Sequence, residues 1–160
     1  MDERAGDRMR GFSLVELIAA LSIAGLLAAV ATPLFFNRLS YDTRAFSEKA
    51  ESMLRYAQKS AIAKRRTVCV SLSSQSISLS FASSRGGPCD HPLPGPTGDA
   101  AFDMNAPSGV SLSTNPAIST FSFDAAGSPS LPSRLDIEIT GDSSHVFHVE
   151  TETGYVHGQD

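Results

Sequence analysis

From Phe12 to Phe36 the chain is apolar for 25 residues, interrupted by a single charge, Glu16. A helix of that length reaches ~37 Å at ~1.5 Å per residue, more than the ~30 Å hydrocarbon layer of a bilayer. The stretch therefore predicts a transmembrane helix. Beyond Pro33 a helical pattern resumes. Leu39, Phe46, Ala50, Met53, Leu54, Ala57 and Ala61 recur at spacings near three and four, one apolar stripe on an otherwise polar helix. The simplest reading is one helix of about fifty residues kinked near Pro33. Its first half is embedded, and its second half packs on the remainder of the chain.

From Thr67 the period falls from 3.6 to 2. Val68, Val70 and Leu72 alternate with Cys69 and Ser71; Ile77, Leu79 and Phe81 alternate with serines. Val110/Leu112, Phe121/Phe123, Leu135/Ile137/Ile139 with Asp136 and Glu138 outward, "HVFHVE" and "GYVH" continue the pattern. Ser73-Ser74-Gln75, "DAAGSP" and "TGDSS" supply turns. This predicts about six or seven short strands, mostly antiparallel because their connections are short, with one face on the helix stripe. Residues 83–109, holding five prolines and five glycines, predict an irregular insert. The fold class is α+β: a long N-terminal helix packed on a mostly antiparallel β-rich head. The organisation is 1–11, a short charged leader; 12–36, the apolar helix; 37–66, the amphipathic stem; and 67–160, the head.

Charge sharpens that division. The formal net charge is −4, but eight bases lie between Arg38 and Arg66 against three acids, whereas from Thr67 onward two bases face ten acids, leaving −8. An acidic head is a poor surface for phosphate backbones, so nucleic-acid binding is not expected. The basic run Lys64-Arg65-Arg66 reads as a solvated helix end that complements the helix dipole. Arg8 and Arg10 beside the apolar run favour a cytoplasmic N-terminus and an exported head, diluted by Asp2, Glu3 and Asp7. In an exported head the two cysteines, Cys69 and Cys89, favour one disulfide, strapping the insert across the outer face of the sheet.

Candidate chemistry is sparse. His145 and His148 are three apart, which puts them on opposite faces of a strand, and His91 and His157 lie elsewhere. Surface histidines are the expectation, not a zinc site. Asp99 and Asp103 are too few for calcium. No nucleophile elbow, S-x-x-K pair or phosphate-cradling glycine loop occurs, so neither catalysis nor a cofactor is expected. A rival reading takes Ala29-Val30-Ala31 as a signal-peptidase site releasing a soluble domain from Thr32. Against it, the apolar run continues through Leu34-Phe35-Phe36 and carries Glu16.

Arg10-Gly11-Phe12-Ser13-Leu14-Val15-Glu16-Leu17, followed by the apolar run, resembles the class III signal of type IV pilins and pseudopilins. The resemblance implies cleavage by a prepilin peptidase between Gly11 and Phe12, N-methylation of Phe12, and pairing of Glu16 with a neighbouring subunit's terminal amine. Gly25 and Pro33 match positions that bound a stretch able to unwind in filaments. "FSFDAAGSP" (residues 121–129) and "VETETGYVH" (149–157) look like minor pilins of the type II secretion protein H and fimbrial T group, and of the mannose-sensitive haemagglutinin pilus. The implied protein is a minor pilin or pseudopilin, single-pass in a bacterial inner membrane with a periplasmic head. Its implied partners are the peptidase, other pilins and an inner-membrane assembly platform. The alternatives are a pseudopilin acting in protein export and a DNA-uptake minor pilin. Some fimbrial T members bind DNA through an arginine-bearing C-terminus, and "TGYVHGQD" has no arginine.

Overall fold

The structure is a computed structural model that describes residues 13–36 and 38–158, with the backbone alone at 30–36 and 38. It divides into two compact units, Met1–Arg38 and Leu39–Asp160. In the first, Ser13 precedes helix α1, Leu14–Phe36, and its carbonyl accepts the Leu17 amide at 3.1 Å. Every described side chain of α1 is exposed, from Leu14 (73%) through Leu27. A helix that is apolar on all sides has no face to turn to water. Among the described residues no helix is long and apolar enough to cross a membrane. The described side chains of α1 end at Ala29.

Helix α2 runs Arg38–Lys64. Helical backbone thus spans most of the stretch expected as a single helix, in two elements, and Asn37 between them lies outside the described residues. The sequence stripe is its inner face: Phe46, Ala50, Met53, Leu54, Ala57 and Ala61 are buried, with Leu39 packed alongside. The helix ends without glycine. Arg65 takes a left-handed conformation (φ 50°), the Arg66 amide donates to the Ala61 carbonyl and the Arg65 amide to Ile62, each at 3.2 Å. That is the Schellman arrangement, in which glycine is the usual residue at the left-handed position.

Among the described residues nine strands follow, in two antiparallel sheets. The first holds β1 (Val68–Leu72), β2 (Ser76–Ala82), β3 (Cys89–Pro92), β4 (Asp103–Asn105) and β6 (Thr120–Phe123), in the order β3-β2-β1-β6 with β4 also on β2. The second orders β5 (Ser111–Asn115), β7 (Leu135–Thr140), β8 (Ser144–Val149) and β9 (Val156–Gly158) as β5-β7-β8-β9. Val68, Val70, Leu79, Phe121 and Phe123 of the first sheet and Ile137, Ile139, Phe147 and Val149 of the second close one core with the α2 stripe.

The insert departs from the irregular segment expected. β3 pairs with Ser80–Ala82 and β4 with Ser76–Ser78, so two strands share one edge of β2. Their backbone bonds need no apolar alternation, which neither "CDHP" nor "DMN" has. Between them the chain docks on α2: Leu93 is fully buried, Tyr56 donates to the Pro94 carbonyl at 2.8 Å, and Tyr56 meets Phe102 edge-on at 5.3 Å. Cys69 and Cys89 are disulfide-bonded, tying β1 to β3 across β2.

Candidate functional site

At the N-terminal end, Gly11 and Phe12 lie outside the described residues. Ser13 stands at the N-cap of α1, so Glu16 is the third helical residue, in the first turn. Ser-x-x-Glu is the capping-box pattern, a local signal inside "RGFSLVEL" that the sequence reading passed over. A carboxylate there lies at the positive end of the helix dipole. Among the described residues Glu16 has no cationic partner. It is exposed, the one charge on an apolar helix. Gly25 sits in mid-helix with nothing within 4 Å of where a Cβ would stand. At Pro33 the backbone is helical and the side chain is outside the description.

In the second unit, the two head stretches carrying the resemblance, "FSFDAAGSP" and "VETETGYVH", converge on α2. The first forms the turn 124–128, in which Asp124 Oδ1 accepts the Ala126 (2.8 Å) and Ser128 (2.9 Å) amides and Gly127 has φ 88°. The second forms the turn 150–154, with Gly154 at φ 66° donating to the Glu150 carbonyl at 2.8 Å. Gln58 Nε2 donates to both, to the Gly127 carbonyl (3.1 Å) and to Thr153 (2.7 Å), while Arg55 Nε donates to the Val156 carbonyl (2.9 Å). A side chain at Gly154 would run into the Gly127 carbonyl oxygen, and one at Gly127 into Ile62. The glycines are there for close approach as well as for their left-handed backbone.

The histidines are not all at the surface, as the sequence reading has them. His148 is 6% exposed and pairs through Nδ1 with Asp136 Oδ1 at 2.8 Å, its cross-strand neighbour on β7. On its other side it faces His157 of β9, with ring centroids 5.4 Å apart, and His157 Nε2 meets Glu150 at 3.1 Å. Burial pushes the Asp136 carboxyl up, but hydrogen bonds from His148 and Arg134 outweigh it and hold it below the usual carboxylate range. Asp90, bonded by the Ser83 hydroxyl and then by His91 and the Ser83 amide, is held well below that range. Among the described residues no group of three or more His, Cys, Asp or Glu is arranged to hold a metal ion. Asp99 instead accepts from the Thr97 hydroxyl, and Asp103 lies on β4.

Residues 7–32 match the prokaryotic N-terminal methylation motif. No curated protein matches the chain. Among solved structures the fold is similar to the type IV minor pilin FimU of Pseudomonas aeruginosa, with a TM-score of 0.56 at 17% identity over 73% of this chain and 92% of that one. It is also similar to the minor pseudopilin EpsH of the type 2 secretion system of Vibrio cholerae, at 0.55 and 11% over 74% and 96%. At these identities the likeness is one of fold. A prepilin-type methylation motif thus stands ahead of a pilin-type fold.

Proposed function

We propose that this type IV pilin-like chain is a minor pilin or pseudopilin, a structural subunit made as a prepilin and assembled into a pilus or pseudopilus. One observation carries the reading: the methylation motif runs directly into a helix exposed on every described side, with one carboxylate in its first turn. Such a helix needs an apolar surround, and this reading supplies two in succession, the membrane and then the packed helices of a filament. In the precursor the Phe12–Phe36 segment spans the inner membrane with the leader cytoplasmic and the head periplasmic. The peptidase hydrolyses the Gly11–Phe12 bond and then transfers a methyl group from a methyl donor to the freed Phe12 amine, and an assembly platform moves the chain into the filament at or near its tip. Gly25 and Pro33 weaken α1 there, one by propensity and one by a missing amide.

Glu16 is the assembly residue. At the bilayer centre its charge would cost ~2.5–3.5 kcal/mol, a cost that falls toward the interface, where the first helical turn lies. In the filament it pairs with the amine of a neighbouring Phe12. The helix's own positive end is the competing partner, and substitution separates the two. Mass spectrometry of the mature protein is expected to find a chain starting at N-methylated Phe12, whereas a start at Thr32 would sink the reading. Glu16→Ala is expected to be processed normally but to be lost from sheared filaments; normal incorporation rejects the intersubunit pair. The minor-pilin and minor-pseudopilin likenesses differ by only 0.01 in TM-score, 0.56 against 0.55, so a pilus and a secretion pseudopilus stand together as destinations.

A further inference from the structure

The Cys69–Cys89 bond lies outside the core that it braces. Cys69 is the outward residue of β1 between buried Val68 and Val70, and Cys89 opens the edge strand β3. Both cysteines are half-buried, and both line an open cleft of about 360 Å³ in the outer face of the first sheet. Around them the cleft presents the short hydroxyl side chains of Ser71, Ser80, Thr120, Ser122 and Ser130. No charged residue lines it, so an incoming thiolate meets neither bulk nor a repelling carboxylate. A disulfide so placed can be reached without unfolding, and exposed disulfides are the exchangeable ones.

Charge at that end of the sheet favours departure of one sulfur. Cys89 Sγ stands 3.9 Å from the Thr67 carbonyl, and Thr67 directly follows Lys64-Arg65-Arg66. Cys89 also pairs with Ala82, so Arg85 sits in the loop that Cys89 closes. Among the described residues none of these four cations makes an ion pair. The adjacent acid, Asp90, is engaged by the Ser83 hydroxyl at 2.6 Å and by His91 at 3.1 Å. Positive charge near a sulfur stabilises its thiolate, which makes Cys89 the better leaving group.

What the bond restrains is bounded. β3 is held to β2 by main-chain pairing at Ser80–Ala82, with an irregularity between Phe81 and Ala82. β1 and β2 keep five cross-strand pairs of their own, and no β3 residue belongs to the buried core. Beyond β3 the chain is fastened again by buried Leu93, by Tyr56 on the Pro94 carbonyl and by β4. Opening the disulfide therefore loosens residues 83–92 and leaves the sheets in place.

We propose that the Cys69–Cys89 bond is a thiol–disulfide exchange site, opened by an external dithiol while the head stays folded, and that opening unlatches residues 83–92 from β2. One thiolate of the dithiol attacks Cys69 Sγ, and Cys89 leaves as a thiolate that takes up a proton. The second thiolate then attacks the dithiol's own sulfur in the mixed disulfide, and Cys69 is released and protonated. Two electrons and two protons pass to the cysteines, and the dithiol becomes a disulfide. This chemistry is independent of assembly, so its outcome stands apart from Phe12 processing and the Glu16 dependence.

Thiol trapping on the full chain in detergent micelles tests it, with dithiothreitol as the dithiol and iodoacetamide as the trap. Without denaturant, mass spectrometry is expected to find both cysteines alkylated. The reduction rate is expected to stay flat in urea below the unfolding transition, because direct attack needs no unfolding. Amide exchange of the reduced chain is expected to rise in residues 83–92 and to stay unchanged in β7 and β8. Lys64→Gln/Arg65→Gln/Arg66→Gln/Arg85→Gln is expected to slow reduction about threefold or more with circular dichroism unchanged. A bond that resists until urea unfolds the head overturns the proposal, as does a rate that climbs steeply with urea. Exchange rising through β7 and β8 on reduction overturns the local unlatching. A rate unchanged in the charge variant overturns Cys89 as the leaving sulfur.

Discussion

Asp136 and His148 form the least exposed ion-pair contact among the described residues, and each is conspicuous in sequence only once the other is located. Both occupy outward positions of their strands, twelve residues apart, and the β7–β8 register sets them opposite one another. Because the folded-state carboxyl of Asp136 is depressed, its stabilisation is fully present above the unfolded value near ~3.9 and is lost as pH falls through the folded one. Asp136→Asn is expected to cost about 1.5–3 kcal/mol at neutral pH, the usual worth of a hydrogen bond to a charged group. It should also flatten the fall of the urea midpoint below about pH 4. A urea titration repeated across acid pH reads both. Sequence periodicity gave His148 a surface position because it assigns faces and not neighbours.

Elements were legible wherever side chains carried the signal. The α2 stripe and seven of the strands follow from apolar spacing, since burial of one face imposes it. β3 and β4 escaped because they are held by main-chain bonds to β2 and by the anchors Leu93, Tyr56 and the disulfide. The cysteines, 20 residues apart, close a loop whose constraint contributes roughly 3 kcal/mol in the chain-entropy model. Cys69→Ser/Cys89→Ser is expected to lower unfolding free energy by about that amount. Amide exchange should rise first in β3, the strand that the bond ties down.

For the whole molecule, the division at Arg38/Leu39 separates a helix without a core from a unit that contains all of it. A fragment spanning Leu39–Asp160 is therefore expected to be soluble and to unfold in one cooperative transition, checked by circular dichroism and calorimetry on the same sample. The N-terminal signal could be read from sequence because it is linear. The clasp on α2 could not, being gathered from Arg55, Gln58 and two distant turns. The exposure of α1 also constrains how the chain is handed on. Moving such a helix from lipid tails to neighbouring helices exchanges one oily surround for another, so its apolar area favours neither side. Direction has to come from groups the two surroundings treat differently. From Leu14 to Ala29 the polar side chains are Ser22, whose hydroxyl already donates to the Ile18 carbonyl at 2.8 Å, and Glu16. Under the assembly proposed above, a single carboxylate within that stretch would be left to make the transfer downhill.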